Sequence, residues 1–386
     1  MSSEPFPSRS PWRVAIVGCG NVALDDHAPA YLALPKLFRV VAAADPSLER
    51  RRIVAERLGL DAAARYENLE DVLGATDVDV VDVCTPPGLH RSIVETAVAH
   101  GCHILCEKPL ATTPKDAEAI VSAVAAAGVT LGMVHNYLWF PEVIATRALL
   151  ADHAIGELQV ILIDSLGGDD NPSAAGYRPR WRHESTAGGG VLMDLVHLVY
   201  LAEALLGGPI ERVTATVDAV DPDAVVESLA LCRFDAASGS ALVNVGWGVG
   251  PGGLRASGSN GWIEFRYRDG ATGPYVPIEV ASLTQRGREP VPIELDDRRD
   301  THRAALENFG RALLEGRTPV ADARAGARAV SLTVAAYESA ALGVTVPVPL
   351  DPLDPVFQAG VSGVAELDLP TWSMVRRRGL FGAKGP

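Results

Sequence analysis

The sequence predicts an α/β protein: a doubly wound parallel sheet at the N-terminus, then a second, largely antiparallel domain. Three observations predict it. Short β-branched runs alternate with helical patterns through the first third of the chain, as crossover helices between parallel strands require. A glycine turn, Gly18-Cys19-Gly20, joins the first of these runs to the first helical pattern. Beyond residue 156 the pattern changes to strands joined by turns.

In chain order, residues 13–17, 39–44, 78–84, 103–106 and 130–134 read as strands. Between them, residues 48–58, 69–73, 90–99 and 114–127 read as helices, the last opened by Thr113 as cap and Pro114 at the first helical position. A helix follows Pro141, and strands are expected at 158–165, 212–217, 228–234, 241–247, 261–267 and 278–281. Two features interrupt this second part. Residues 166–187 read as a long polar loop with Arg178, Arg180, Trp181, Arg182 and His183, and structureless segments of that length in compact domains are usually functional or disordered. Gly188-Gly189-Gly190 then opens a single apolar helix over 191–206. Residues 301–315 and 322–342 read as amphipathic helices. The domains expected are 12–140 and 141–350, with a short N-terminal extension at 1–11 and an arm at 351–386 that drapes over another subunit.

Composition limits the function. Hydrophobic residues make up 48% of the 386 and charged residues 21%, enough apolar surface for a sizeable core. The net charge of -14 repels phosphate backbones and anionic lipid, so neither nucleic acid nor a membrane is expected as partner. The five cysteines are odd in number and mostly sit in apolar runs, which points to reduced thiols in a cytoplasmic protein. Cys102 and Cys106 lack a second ligand pair, so no metal is expected. No signal peptide is visible, and the longest apolar stretch, 119–134, is too short to span a bilayer.

The chemistry begins at the glycine turn. Gly18-x-Gly20-Asn21-Val22-Ala23 lies between a strand and a helical pattern, where glycines let backbone N–H groups approach a pyrophosphate at a helix N-terminus. The second strand ends at Asp45, placed to accept hydrogen bonds from an adenosine ribose. Pro46 and Ser47 follow it rather than arginine, which favours NAD over NADP. Thr85-Pro86-Pro87, with His90, ends the third long strand and is expected over the cofactor. Glu107-Lys108-Pro109 puts a carboxylate and an ammonium at the same rim. Beside a dinucleotide, such a lysine is suited to proton transfer. Asp194 and His197, three residues apart, share a face of the expected helix. Such a pair serves either as a packed core contact or as an oriented acid/base.

Taken together, Gly18-x-Gly20, Thr85-Pro86-Pro87 with His90, Glu107-Lys108-Pro109, the Gly189-Gly190 helix with Asp194 and His197, and Gly258-Ser259-Asn260-Gly261 resemble the Gfo/Idh/MocA oxidoreductases. The resemblance runs from about residue 12 to residue 350. It implies a Rossmann domain and an α/β domain whose open sheet forms the oligomer interface of a homodimer or homotetramer. It also implies hydride transfer between a nicotinamide cofactor and a secondary hydroxyl of a sugar, cyclitol or glycoside. By motif position Lys108 is the family lysine that moves protons and binds substrate hydroxyls, and Asp194 and His197 are the family's substrate-domain Asp and His. Gly18, Gly20, Asn21, Val22, Asp45, Thr85, Pro86, His90 and Glu107 are then the cofactor residues. Tyr137, Arg178, Trp181 and His183 are candidates for substrate contact.

Three departures accompany the resemblance. One residue fewer separates Asp194 from His197 than in the family pattern, and Tyr200 stands where a second Asp is usual. Asn136-Tyr137-Leu138-Trp139-Phe140 lacks the usual arginine. Pro29 lies soon after the glycine turn, so the first helix is expected to start late. Two alternative functions share the cofactor: glycoside cleavage through oxidation, elimination and reduction, and a non-catalytic dinucleotide sensor.

Overall fold

The structure, a computed structural model, describes residues 11–168, 180–221, 223–268, 277–296 and 300–383. It divides into two compact units, one of residues 1–110, 118–136 and 300–326, the other of 111–117, 137–299 and 327–386. The expected domains are continuous in sequence, whereas these units are not.

The first unit holds a six-stranded parallel sheet: β1 (Trp12–Val17), β2 (Phe38–Ala44), β3 (Arg65–Tyr66), β4 (Val80–Val83), β5 (His103–Cys106) and β6 (Leu131–Met133), in the order β3-β2-β1-β4-β5-β6. Five of the strands coincide with the predicted runs. β3 is only two residues long, too short to leave a periodic signal. The order reverses between β1 and β4, the switch point beyond whose carboxyl ends ligands bind in doubly wound sheets.

Helix Leu48–Leu58 starts at the Ser47 cap and stops at Gly59 in the left-handed region. The helix after the glycine turn starts at Asn21 and not late, a correction to the reading of Pro29. Residues Ala23–His27 widen into a π-turn before the α-helix Ala28–Ala33 resumes with Pro29 in its first turn. The wide turn accommodates a proline that supplies no N–H and whose ring crowds the preceding turn. Helix Thr301–Glu315 belongs to this unit, where Phe309 packs on Gly132 and Gly310 on Phe38.

The second unit holds a nine-stranded sheet. Its strands are β7 (Leu158–Gly168), β8 (Ile210–Asp218), β9 (Leu229–Ala236), β10 (Gly239–Trp247), β11 (Gly252–Gly258), β12 (Gly261–Tyr267), β13 (Ile278–Gln285), β14 (Val291–Pro292) and β15 (Val346–Pro347). Their order is β14-β13-β12-β11-β7-β10-β9-β8-β15, and every pairing is antiparallel except β7 with β10. β11 escaped the sequence reading because three of its seven residues are glycine. A Cβ at Gly252 would meet the Tyr267 ring, and one at Gly253 or Gly258 a neighbouring backbone carbonyl. The glycines there serve close approach rather than turning.

The expected helix over 191–206 is two helices, Val191–Asp194 and His197–Leu206, broken at Leu195-Val196. Residues 351–383 fold against the unit itself: Val356, Val361, Val364, Val375, Leu380 and Phe381 are buried, and the Phe381 ring stands 5.1 Å from that of Tyr337. Among the described residues no single helix is long and apolar enough to cross a membrane.

Candidate active site

In the first unit, β1 runs into Gly18 at φ +92°. A Cβ there would stand 2.7 Å from the Cys84 carbonyl and 2.9 Å from the Thr85 methyl, so the two strand ends at the switch point approach only because residue 18 has no side chain. Gly20 is different: a Cβ would meet no other atom within 4 Å. Asn21 and Val22 open the helix behind that space, as a pyrophosphate site requires. The Asp45 carboxylate is fixed at the end of β2 by the amides of Cys19 and Ser47, each at 2.8 Å. Each of its oxygens keeps a lone pair for a further donor. Arg51 donates to the Asp45 and Pro46 carbonyls, a cation near Asp45 that the local sequence did not reveal. Thr85 Oγ1 is buried with no hydrogen-bond partner. The open glycine, the carboxylate and the orphaned hydroxyl fit a dinucleotide.

His90 is buried and faces the Thr85 carbonyl at 2.8 Å and the Leu110 carbonyl at 3.2 Å. It therefore ties the loop after β4 to the loop after β5, with Pro86 leading into the short 3-10 turn Pro87–Leu89. Glu107 is buried, and its Oε2 accepts the Lys108 amide at 3.1 Å. Its Oε1 lies 3.0 Å from His27 Nε2, and His27 Nδ1 lies 2.8 Å from Asp82 Oδ2. Neither His27 nor Asp82 was among the residues expected at the site. The sequence did carry a signal, a lone carboxylate in the apolar run Val80-Val81-Asp82-Val83, since a charge in a strand buried on both faces needs a partner.

In the second unit, Tyr137, Asp194 and His197 are buried. The His197 ring stacks on Tyr137 with centroids 3.9 Å apart and planes 11° off parallel. Tyr200 Oη accepts the Tyr137 amide at 3.2 Å and lies 2.7 Å from His197 Nδ1. The break at Leu195-Val196 removes the continuous helix on which a shared face of Asp194 and His197 rested. Asp194 Oδ1 stands 2.9 Å from Arg182 Nε, and the Arg182 guanidinium lies 5.8 Å from the Trp181 ring centre. The exposed His183 packs near Trp247, with centroids 5.2 Å apart. Arg178 lies outside the described residues.

The short helix bearing Asp194 is anchored by Glu227, just before β9, and by Tyr337 of helix Ala323–Leu342. Leu192 N–H donates to Glu227 Oε1 at 2.9 Å, and Met193 N–H donates to Tyr337 Oη at 3.1 Å. Tyr337 in turn donates to Glu227 Oε1 at 2.9 Å. Gly190 sits at φ +123°, where a Cβ would overlap the Glu227 carboxylate. Burial pushes the Glu227 carboxyl up to about 8, outweighing the Leu192 and Tyr337 hydrogen bonds. An acid raised in this way stabilises the fold at low pH and loses that contribution as pH rises through its folded value. The thermal midpoint is therefore expected to fall between about pH 5 and about 8. Glu227→Gln, which keeps an acceptor for Leu192, should flatten that part of the profile; a variant curve parallel to wild type would contradict the assignment.

Residues 12–135 match the family model "Oxidoreductase family, NAD-binding Rossmann fold", and residues 143–264 match the "GFO/IDH/MocA C-terminal domain". The chain belongs to the Gfo/Idh/MocA family. Its N-terminal part is that family's NAD-binding Rossmann fold. The D-glucoside 3-dehydrogenase of Escherichia coli is 30% identical over 201 residues, 52% of this chain and 55% of the relative. The levoglucosan dehydrogenase of Pseudarthrobacter phenanthrenivorans is 28% identical over 274 residues, 67% of this chain and 65% of the relative. The chain thus spans 55% and 65% of the length of these curated relatives. Among solved structures, the aldose-aldose oxidoreductase from Caulobacter crescentus, complexed with glycerol, superposes with TM-score 0.77 at 26% identity over 87% of this chain and 99% of that one.

Within this Gfo/Idh/MocA protein, Tyr200 contacts His197 directly. Arg182, one residue past Trp181, is the partner of Asp194. Arg182 was visible in the polar loop, but nothing local distinguished it from Arg178 and Arg180.

Proposed function

We propose that this protein is an NAD-dependent oxidoreductase that oxidises or reduces a secondary ring hydroxyl of a sugar, cyclitol or glycoside by hydride transfer. The observation that carries the reading is Lys108 on the strand end next to the switch point, its amide held by Glu107, in a unit whose glycine turn fits a dinucleotide. Bound NAD supplies the hydride acceptor. The chain supplies binding and proton handling.

Gly18, Gly20, Asn21 and Val22 receive the pyrophosphate, Asp45 the adenosine ribose, and Thr85, Pro86, His90 and Glu107 form or support the rim of that site. Lys108 binds the substrate hydroxyl and takes part in its deprotonation. His197 is the acid/base, with Nδ1 turned to the Tyr200 hydroxyl. Asp194, paired with Arg182, binds a substrate hydroxyl. Tyr137, Trp181 and His183 contribute rings to sugar binding, as aromatic faces do for C–H-rich ligands, and Arg178 contributes a donor.

The buried, unpaired thiols suit a reducing compartment such as the cytoplasm. Leu231 and Leu242, exposed on the neighbouring strands β9 and β10, and Trp262, exposed on β12 of the same open sheet, suit a homodimer or homotetramer assembled through that sheet. Light scattering on wild type and Leu242→Glu tests this: the variant should lose mass, and equal masses would refute it.

Turnover is tested by following reduced-nicotinamide absorbance with NAD while alkyl glucosides, anhydrosugars, free aldoses and inositols are added in turn. One ligand class should produce the band. Release of an aglycone without the band would favour oxidation, elimination and reduction instead.

A further inference from the structure

His27 is completely buried, and both of its ring nitrogens face carboxylates, Asp82 at 2.8 Å and Glu107 at 3.0 Å. A neutral imidazole has one N–H and one bare nitrogen. Whichever nitrogen is bare would set its lone pair against an oxygen acceptor at hydrogen-bond distance. Both contacts become favourable together when both nitrogens carry protons. Glu107 Oε2, which accepts the Lys108 amide, needs no proton to make that bond.

The remaining ionisable neighbours are consistent with a cation here. Cys84 Sγ, from the end of β4, lies 3.4 Å from His27 Nδ1, and burial pushes its thiol up so that it stays protonated. On the same helix lie Tyr31, whose ring centre is 6.5 Å away, and Asp26. From helix Thr301–Glu315, the His302 ring lies 6.0 Å away and pairs with Asp26 at 3.2 Å. His135, just past β6, is buried, and burial lowers it to about 3, so it stays neutral. Lys108 follows Glu107 at the end of β5.

Burial opposes a charge on His27, but the Asp82 carboxylate holds its pKa well above the ordinary value. Burial likewise opposes ionisation of Glu107, and the His27 hydrogen bond and charge bring it down to about 2. His27, Asp82 and Cys84 are also close enough together to suggest a metal. The 2.8 Å contact between His27 and Asp82 is, however, a hydrogen-bond length, shorter than the roughly 3.3 Å between adjacent ligands around a tetrahedral zinc. A proton accounts for it.

We propose that His27 is a positioning residue for Lys108: held as a cation between Asp82 and Glu107, it fixes the carboxylate that receives the Lys108 amide and sets the charge felt by the Lys108 ammonium. The functional consequence rests on the reading of Lys108 as the proton-transfer group, and the protonation and coupling are measured without it.

Wild-type protein labelled with [15N]histidine reads the protonation. One of the nine histidines should carry protons on both ring nitrogens from pH 5 to 9, with its signals lost in His27→Gln. Absence of any such histidine overturns the proposal, whether or not the variant folds. Labelling with [ε-13C]lysine reads the coupling, because the chain has only four lysines, Lys36, Lys108, Lys115 and Lys384. The Lys108 titration midpoint should rise by about half a unit or more in His27→Gln and fall in Glu107→Gln. A midpoint unmoved in both variants overturns the proposal. Both measurements use the substrate-free protein, so failure of the proposed activity leaves them readable, and their failure leaves the activity standing.

Discussion

Replacing Lys108 with alanine is expected to lower kcat by about 10³-fold while the Kd for NAD stays within about threefold, the loss typical when a positioned proton-transfer group is removed. The split follows from where the residue sits. Gly18, Gly20 and Asp45 hold the dinucleotide from the ends of β1 and β2, whereas Lys108 stands at the end of β5 with its amide on Glu107. Lys108→Arg should recover little, because a guanidinium keeps its proton at any working pH. Wild-type kcat in Lys108→Ala would remove the residue from the chemistry; a matching loss of NAD affinity would make it a cofactor residue instead.

His197→Ala is expected to cost a comparable 10²- to 10⁴-fold in kcat, and Tyr200→Phe about tenfold. The second variant is the more informative. Tyr200 Oη already accepts the Tyr137 amide, and it lies 2.7 Å from His197 Nδ1. When His197 takes a proton on Nε2, Nδ1–H donates to that oxygen. Phenylalanine keeps the ring packing but removes the acceptor, so the charged imidazole loses support and the acidic limb of the pH–rate profile moves to lower pH. A purely structural Tyr200 would leave that limb in place. A Tyr200→Phe enzyme with lower kcat and an unmoved profile would refute its link to proton transfer.

The local signals account for most of the fold. Periodicity, the Thr113 cap and the glycine turn are short-range features, and five parallel strands with their crossover helices follow from them. The misses are long-range or sterically subtle. Pro29 interrupts the α-helical hydrogen bonding, but the chain absorbs it in a π-turn at Ala23–His27 before the α-helix resumes, and that turn places His27 against Asp82 and Glu107. No window around residue 27 contains residues 82 and 107. β11 hid behind glycines needed for contact with Tyr267 and a neighbouring carbonyl.

The candidate site was legible in the same way. The motif residues Gly18, Asp45, Thr85 and Lys108 follow from their positions at strand ends. The supporting residues, His27 and Asp82 beside Glu107 in the first unit and Glu227 behind the Asp194 helix in the second, come from elsewhere in the sequence. Tyr200 registered in the sequence only as a departure from the expected Asp, although its hydroxyl lies 2.7 Å from His197 Nδ1.

The most direct test of the central claim is isotope transfer. Once the absorbance panel has identified a reactive sugar class, a member deuterated at each ring carbinol carbon in turn is incubated with the enzyme and NAD, and the nicotinamide C4 position is read by NMR. Deuterium is expected at C4 from one ring position and from no other. Reduced cofactor formed without label from any ring carbon, or product formed with the label washed into solvent, would contradict hydride transfer from a secondary ring hydroxyl.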